Sequence, residues 1–93
     1  MISVSRITFA EASATDRRSG LLGFVSFILD GTVRVDGVAL RRTQAGALRL
    51  SFPGKPGRDG REWPYVRPIN DETRLAIEAQ VFDAIGLGEE RRP

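Results

Sequence analysis

Neither cysteine nor histidine occurs among the 93 residues. Their absence excludes disulfides, thiolate metal sites and cysteine nucleophiles, together with the commonest metal ligand and general base. Lysine occurs once, as Lys55 between Gly54 and Pro56, an open setting that does not desolvate an amine into a low-pKa nucleophile. Paired acids such as Asp71 with Glu72 suit a helix N-terminus better than acid–base work, and no glycine loop stands between a strand and a helix in phosphate-cradling form. The expectation is a non-enzymatic domain with no catalytic residue, no metal and no cofactor. Long apolar runs are lacking as well. The longest, Leu21 to Leu29, is interrupted by Gly23 and Ser26 and falls far short of the ~20 residues that span a bilayer. The opening MISVSRITFA has no charged region followed by an apolar core and a cleavage site, so a cytoplasmic protein with no membrane partner is expected.

What the chain does contain is β-patterning followed by one helical segment. Ile2 to Ala10 is rich in β-branched and aromatic residues, but its apolar parity slips between Val4 and Ile7, which predicts a strand with an irregularity. Thr15 to Gly20 holds only polar and turn-forming residues and reads as an exposed connection. Leu21 to Leu29 is apolar on both faces, with Leu22, Phe24 and Ile28 on one and Leu21, Val25, Phe27 and Leu29 on the other. Asp30-Gly31 supplies a hairpin turn. Val33 and Val35 then alternate on odd numbers while Val38 and Leu40 alternate on even ones, so a β-bulge is expected at Gly37. After a turn at Thr43 to Gly46, Leu48, Leu50 and Phe52 face inward, with Arg49 and Ser51 outward.

Pro53 to Gly60 (PGKPGRDG) has the composition of an exposed loop, and Glu62 to Arg67 reads as a short last strand confined to an edge by Pro64. Asn70 is a favoured helix N-cap, followed by acids that suit the helix dipole. Ile77, Val81 and Ile85, flanked by Leu75 and Phe82, form an apolar stripe, Glu78 and Asp83 are assigned to solvent, and Gly86 and Gly88 end the helix. The whole reads as one α+β domain over residues 1–87: an antiparallel β-sheet of about five strands and one C-terminal amphipathic helix, with residues 88–93 a disordered tail. A domain this small buries only about 60% of the surface of its unfolded chain. One helix covers one sheet face, so the two-faced strand Leu21 to Leu29 needs a second cover, and a homodimer is expected.

Charge is distributed unevenly. Residues 1–33 are neutral overall, residues 34–67 carry eight basic against three acidic groups for a net +5, and residues 68–93 carry a net −3. Local clusters of this kind attract phosphate backbones through counterion release. Arg41 and Arg42 precede a turn, while Lys55, Arg58 and Arg61 lie in or beside the Pro-Gly loop, so these five are candidate phosphate contacts. Trp63 and Tyr65 lie close to the same loop and suit stacking on unpaired bases. Two other readings stand beside these: aromatics packed at an edge against the helix, and arginines forming a solvated face in an arginine-rich protein.

Phe52-Pro53-Gly54-Lys55 through Pro68-Ile69-Asn70, with Asp59-Gly60 between them and Thr73, Arg74, Ile77 and Val81 in the helix, resembles the signature of the stage V sporulation protein G (SpoVG) family, in which Met-Pro-Ser-Lys precedes Pro-Ile-Asn. The likeness extends in order over residues 2–87. It implies a SpoVG-like homodimer that binds DNA or RNA and regulates gene expression, sporulation or septation, and it adds Arg74 to the candidate nucleic-acid contacts. The sequence departs from that pattern at Gly54, where the family has Ser, at Arg61, where an acid is common, and in its acidic helix. That helix motivates a second reading, in which the chain is a protein-interaction module of the cell-division machinery that docks a division or regulatory partner through Glu78 and Asp83.

Overall fold

In the computed structural model, which describes residues 1–87, the chain is an α+β fold. Four strands, β1 (Val4–Glu11), β2 (Leu21–Leu29), β3 (Val33–Arg42) and β4 (Leu48–Ser51), form an antiparallel sheet in sequence order. A five-residue helix, α1 (Ala14–Arg18), links β1 to β2. Two short strands, β5 (Gly54–Pro56) and β6 (Glu62–Pro64), make a separate hairpin, and α2 (Asp71–Ala84) follows. The expected tail, residues 88–93, lies outside the described residues.

Each parity slip in the sequence is a bulge. In β1 the pairing jumps from Ser5↔Ile28 to Thr8↔Ser26, so Arg6 and Ile7 oppose Phe27 alone, and Arg6 takes a left-handed φ of 48°. In β3 Asp36 and Gly37 oppose Ser26 between Val25↔Val38 and Phe27↔Val35, which keeps Val35 and Val38 on one face. Hydrogen bonds from Ser26 and then Arg34 hold the Asp36 carboxyl below its ordinary pKa at this bulge. Asp30 and Gly31 both adopt positive φ, as the β2–β3 turn requires. A third slip, at Leu22 between Leu21↔Arg41 and Gly23↔Leu40, left no mark in the apolar pattern, because both neighbours of Leu22 in the alternation are already apolar or glycine.

The core joins Val25, Phe27, Val35, Val38, Leu40, Leu48 and Leu50 of the sheet to Ile77, Val81 and Phe82 of α2. Phe52 adds an edge-on contact to Phe27, with ring centroids 6.3 Å apart. Asn70 caps the helix as expected, its Oδ1 accepting the Thr73 N–H at 2.8 Å. Two polar side chains fasten α2 to the outer strands. Gln80 Nε2 donates to the Ile2 carbonyl and Gln80 Oε1 accepts the Val4 N–H, both at 2.9 Å. On the other edge, Glu78 Oε2 accepts the Leu50 N–H at 3.0 Å. These three bonds occupy backbone groups at or beside the outer strands that would otherwise be open to a further strand.

Three expectations need correction. Residues 15–20 are not a plain connection, since Ser13 Oγ accepts the Asp16 N–H at 3.1 Å and caps α1; a helix this short, with alanine as its one apolar residue and none buried, carries no periodicity to read. Pro53 to Gly60 is not simply a loop, because residues 54–56 pair with residues 62–64. The expected fifth strand belongs to this separate hairpin, so the main sheet has four strands.

Candidate nucleic-acid interface

The β5–β6 hairpin sets cations and aromatics side by side. Lys55 is paired with Trp63 across the two strands, which places the two side chains on the same face of the hairpin. The loop closes where the Gly57 N–H donates to the Arg61 carbonyl at 2.6 Å. A side chain at Gly57 would overlap the Trp63 ring, so glycine leaves room for the indole to approach the hairpin backbone closely. Trp63 nevertheless remains 54% exposed and Tyr65 71%. The packing of these aromatics against the helix, one of the two readings open from sequence, is therefore not what the structure shows. Arg61, Trp63 and Arg67 line a shallow depression of about 250 Å³ with Glu62 and Pro64. Arg58 lies in the exposed turn, and Arg61 is steadied by Asp59, with Nε 3.4 Å from its carboxylate.

A second basic region lies at the end of the β3–β4 ribbon. Arg41 and Arg49 are directly paired across the strands, on the face opposite the buried Leu40 and Leu50. Like charges opposed in this way repel unless an anion lies between them. Arg42 is half-buried, and its Nη1 donates to the Gly46 carbonyl at 3.2 Å. The structure thus divides the six sequence candidates: Lys55, Arg58 and Arg61 share the hairpin, and Arg41 and Arg42 share the ribbon end.

Arg74 belongs to neither group. Its Nη1 donates to Glu78 Oε1 at 2.9 Å and its Nε faces Asp71 at 3.4 Å, so it braces the helix. Glu78 itself, assigned to solvent from sequence, is only 4% exposed. Besides Leu50 and Arg74 it attracts Arg49, whose Nε stands 3.8 Å away. Burial of a carboxylate is tolerated because its oxygens are satisfied, and no buried side-chain N or O among the described residues lacks a partner. An acidic docking face that includes Glu78 is therefore not present. Beside this cluster, Leu48, Leu75, Ala79 and Phe82 line a groove of about 420 Å³.

Among the described residues no group of three or more Asp or Glu side chains is arranged to hold a metal, and no helix is long and apolar enough to cross a membrane. No protein-family model matches the chain, and no curated protein matches it.

Proposed function

We propose that the protein is a homodimeric regulator that binds nucleic acid through the β5–β6 hairpin and the arginine end of the β3–β4 ribbon. The observation that carries this reading is the exposure of Trp63 on a hairpin that also bears Lys55, Arg58 and Arg61, and of Tyr65 just beyond it, with Arg67 lining the same depression. Large aromatics left in water beside cations favour unpaired bases, which stack on the rings while the cations meet the phosphates. The resemblance to the SpoVG family supports the same ligand class and a role in gene expression, septation or sporulation. The alternative, a division-machinery docking module, loses Glu78 from its acidic face, since that side chain lies inside the fold, and keeps only Asp83 of the two residues it named.

The test is fluorescence-polarisation titration with labelled duplex DNA, single-stranded DNA and RNA at several salt concentrations. Saturable binding that weakens steeply with salt is expected, strongest for a single strand. Replacing Lys55, Arg58 and Arg61 together by alanine is expected to flatten the salt slope by about two to three units, because roughly 0.7–0.9 counterions are released per neutralised phosphate. Trp63→Ala is expected to weaken single-strand binding about tenfold, at the lower end of the 1–3 kcal/mol ascribed to one stacked base, and to leave any duplex binding unchanged. Absence of binding to all three ligands at low salt overturns the proposal.

The dimer is supported by the sheet face that α2 leaves uncovered. Phe24 stands there 46% exposed, between Ala10 and Ala39 on the neighbouring strands, with Ile28 further along the same face. A second copy covering this face would bury the other side of β2. Sedimentation at dimer mass is expected, and Phe24→Asp is expected to give a folded monomer. A wild-type chain that sediments as a monomer at every concentration excludes this arrangement.

A further inference from the structure

The corner between α1 and β2 meets the turn after β3 in a depression of about 260 Å³, lined by Arg17, Arg18, Arg42, Thr43 and Gln44 among others. Charge counting along the chain concealed this grouping, because Arg17 and Arg18 lie in the neutral first third and only the fold brings them beside Arg42. Three guanidiniums around one small depression favour an oxyanion, and the planar fork of arginine pairs with phosphate through two parallel hydrogen bonds. Arg17 is oriented by an ion pair with Glu11, and Arg42 by its bond to the Gly46 carbonyl. Arg18 makes no ion pair or side-chain hydrogen bond among the described residues.

The walls of the depression are fixed to one another. The Arg42 N–H donates to the Gly20 carbonyl at 2.8 Å. Gly20 holds a φ of +103°, and a Cβ there would lie 2.7 Å from the Arg42 carbonyl oxygen. Only glycine permits both the left-handed backbone and this close approach. Ser19 ties the same corner back to α1 by donating from its hydroxyl to the Asp16 carbonyl at 2.8 Å. The backbone around the site is thus ordered before an anion enters it, and the Arg18 side chain is what binding has to fix.

We infer that this depression is a phosphate-binding site, separate from the β5–β6 hairpin, with Arg18 as its principal free cation and Arg17 and Arg42 beside it. The inference rests on the nucleic-acid reading only for the source of the phosphate, a backbone phosphodiester of the bound strand. The site's chemistry also accepts free phosphate or a nucleotide.

The experiment combines two measurements on the full chain. Inorganic phosphate and, separately, AMP are titrated into ¹⁵N-labelled protein, with amide shifts followed by NMR. A labelled oligonucleotide lacking terminal phosphates is titrated at several salt concentrations against wild type, Arg18→Glu and a control reversal, Arg34→Glu, at the opposite end of β3. Saturable shifts at Gly20 and Thr43 that vanish in Arg18→Glu are expected. So is a roughly tenfold loss of oligonucleotide affinity at low salt, the size of one charge-assisted hydrogen bond, with a salt slope shallower by about one unit and a much smaller effect for the control. Phosphate shifts that depend on Arg18, without oligonucleotide binding, support the site with a free phosphate source and remove the nucleic-acid function. Oligonucleotide binding that is equally sensitive to both reversals, with no phosphate-induced shift, overturns the site and leaves the nucleic-acid function standing.

Discussion

Glu78→Ala is expected to destabilise the fold by about 3 kcal/mol, the scale for removing one partner from a buried, charge-assisted network. The substitution leaves the Leu50 N–H, now bonded at 3.0 Å, without an acceptor beneath the helix. It also strips the carboxylate from Arg74, although that guanidinium is partly exposed and keeps Asp71 nearby, which moderates its share. Glu78→Gln retains one carbonyl oxygen for Leu50 and is expected to lose about half as much. Arg74→Ala leaves Glu78 with Leu50 and Arg49 and is expected to cost less than Glu78→Ala. A double-mutant cycle over Glu78 and Arg74, read from urea denaturation, should show a coupling of about 1 kcal/mol or more. Equal stability of Glu78→Ala and wild type would mean that the helix does not close the β4 edge through this carboxylate. Losses of this size are large for a domain whose total stability is on the order of 5–10 kcal/mol.

The same residue marks where sequence reasoning stopped short. At about 100° per residue, Glu78 falls within the arc spanned by Ile77, Val81 and Phe82. Its position on the apolar stripe was therefore present in the spacing, but a carboxylate is assigned to solvent unless a partner is known. The partners are a strand amide and an arginine that only the fold supplies. The strands were more legible. Parity slips at Val4 to Ile7 and at Asp36-Gly37 located two bulges, since a period of two makes any inserted residue visible. The β5–β6 hairpin was obscured by its own composition. Two prolines and three glycines between residues 53 and 60 read as loop, yet it is glycine at 57 that admits the Trp63 ring. Among the candidate contacts, those adjacent in sequence were found together in the structure. Arg17 and Arg18 carry no local sign that they meet Arg42, which only the fold brings beside them.

Phe82→Ala is expected to cost about 3–5 kcal/mol, the range for truncating a fully buried aromatic, and to lower the midpoint of thermal unfolding by roughly 15 °C or more for a domain of this size. Phe82 is 1% exposed and belongs to the cluster formed with the sheet, so its removal leaves a cavity bounded by β-strands that cannot all close in. Leu75, on the same helix and grouped with the same stripe from sequence, is 56% exposed and lines only the rim of the open groove beside β4. Leu75→Ala is expected to change stability by less than about 0.5 kcal/mol. Seven residues apart, the two side chains differ by only about 20° around the helix axis, so the pair measures how burial changes along α2 rather than around it. The rotation of α2 about its axis is held instead by Glu78 at the β4 edge and Gln80 at the β1 edge, because the two residues lie on opposite flanks of the Ile77–Val81 stripe. Similar losses for the two substitutions, measured by thermal or urea denaturation, would mean that the first turns of α2 are packed as tightly as its last and that the groove beside Leu75 is closed in solution.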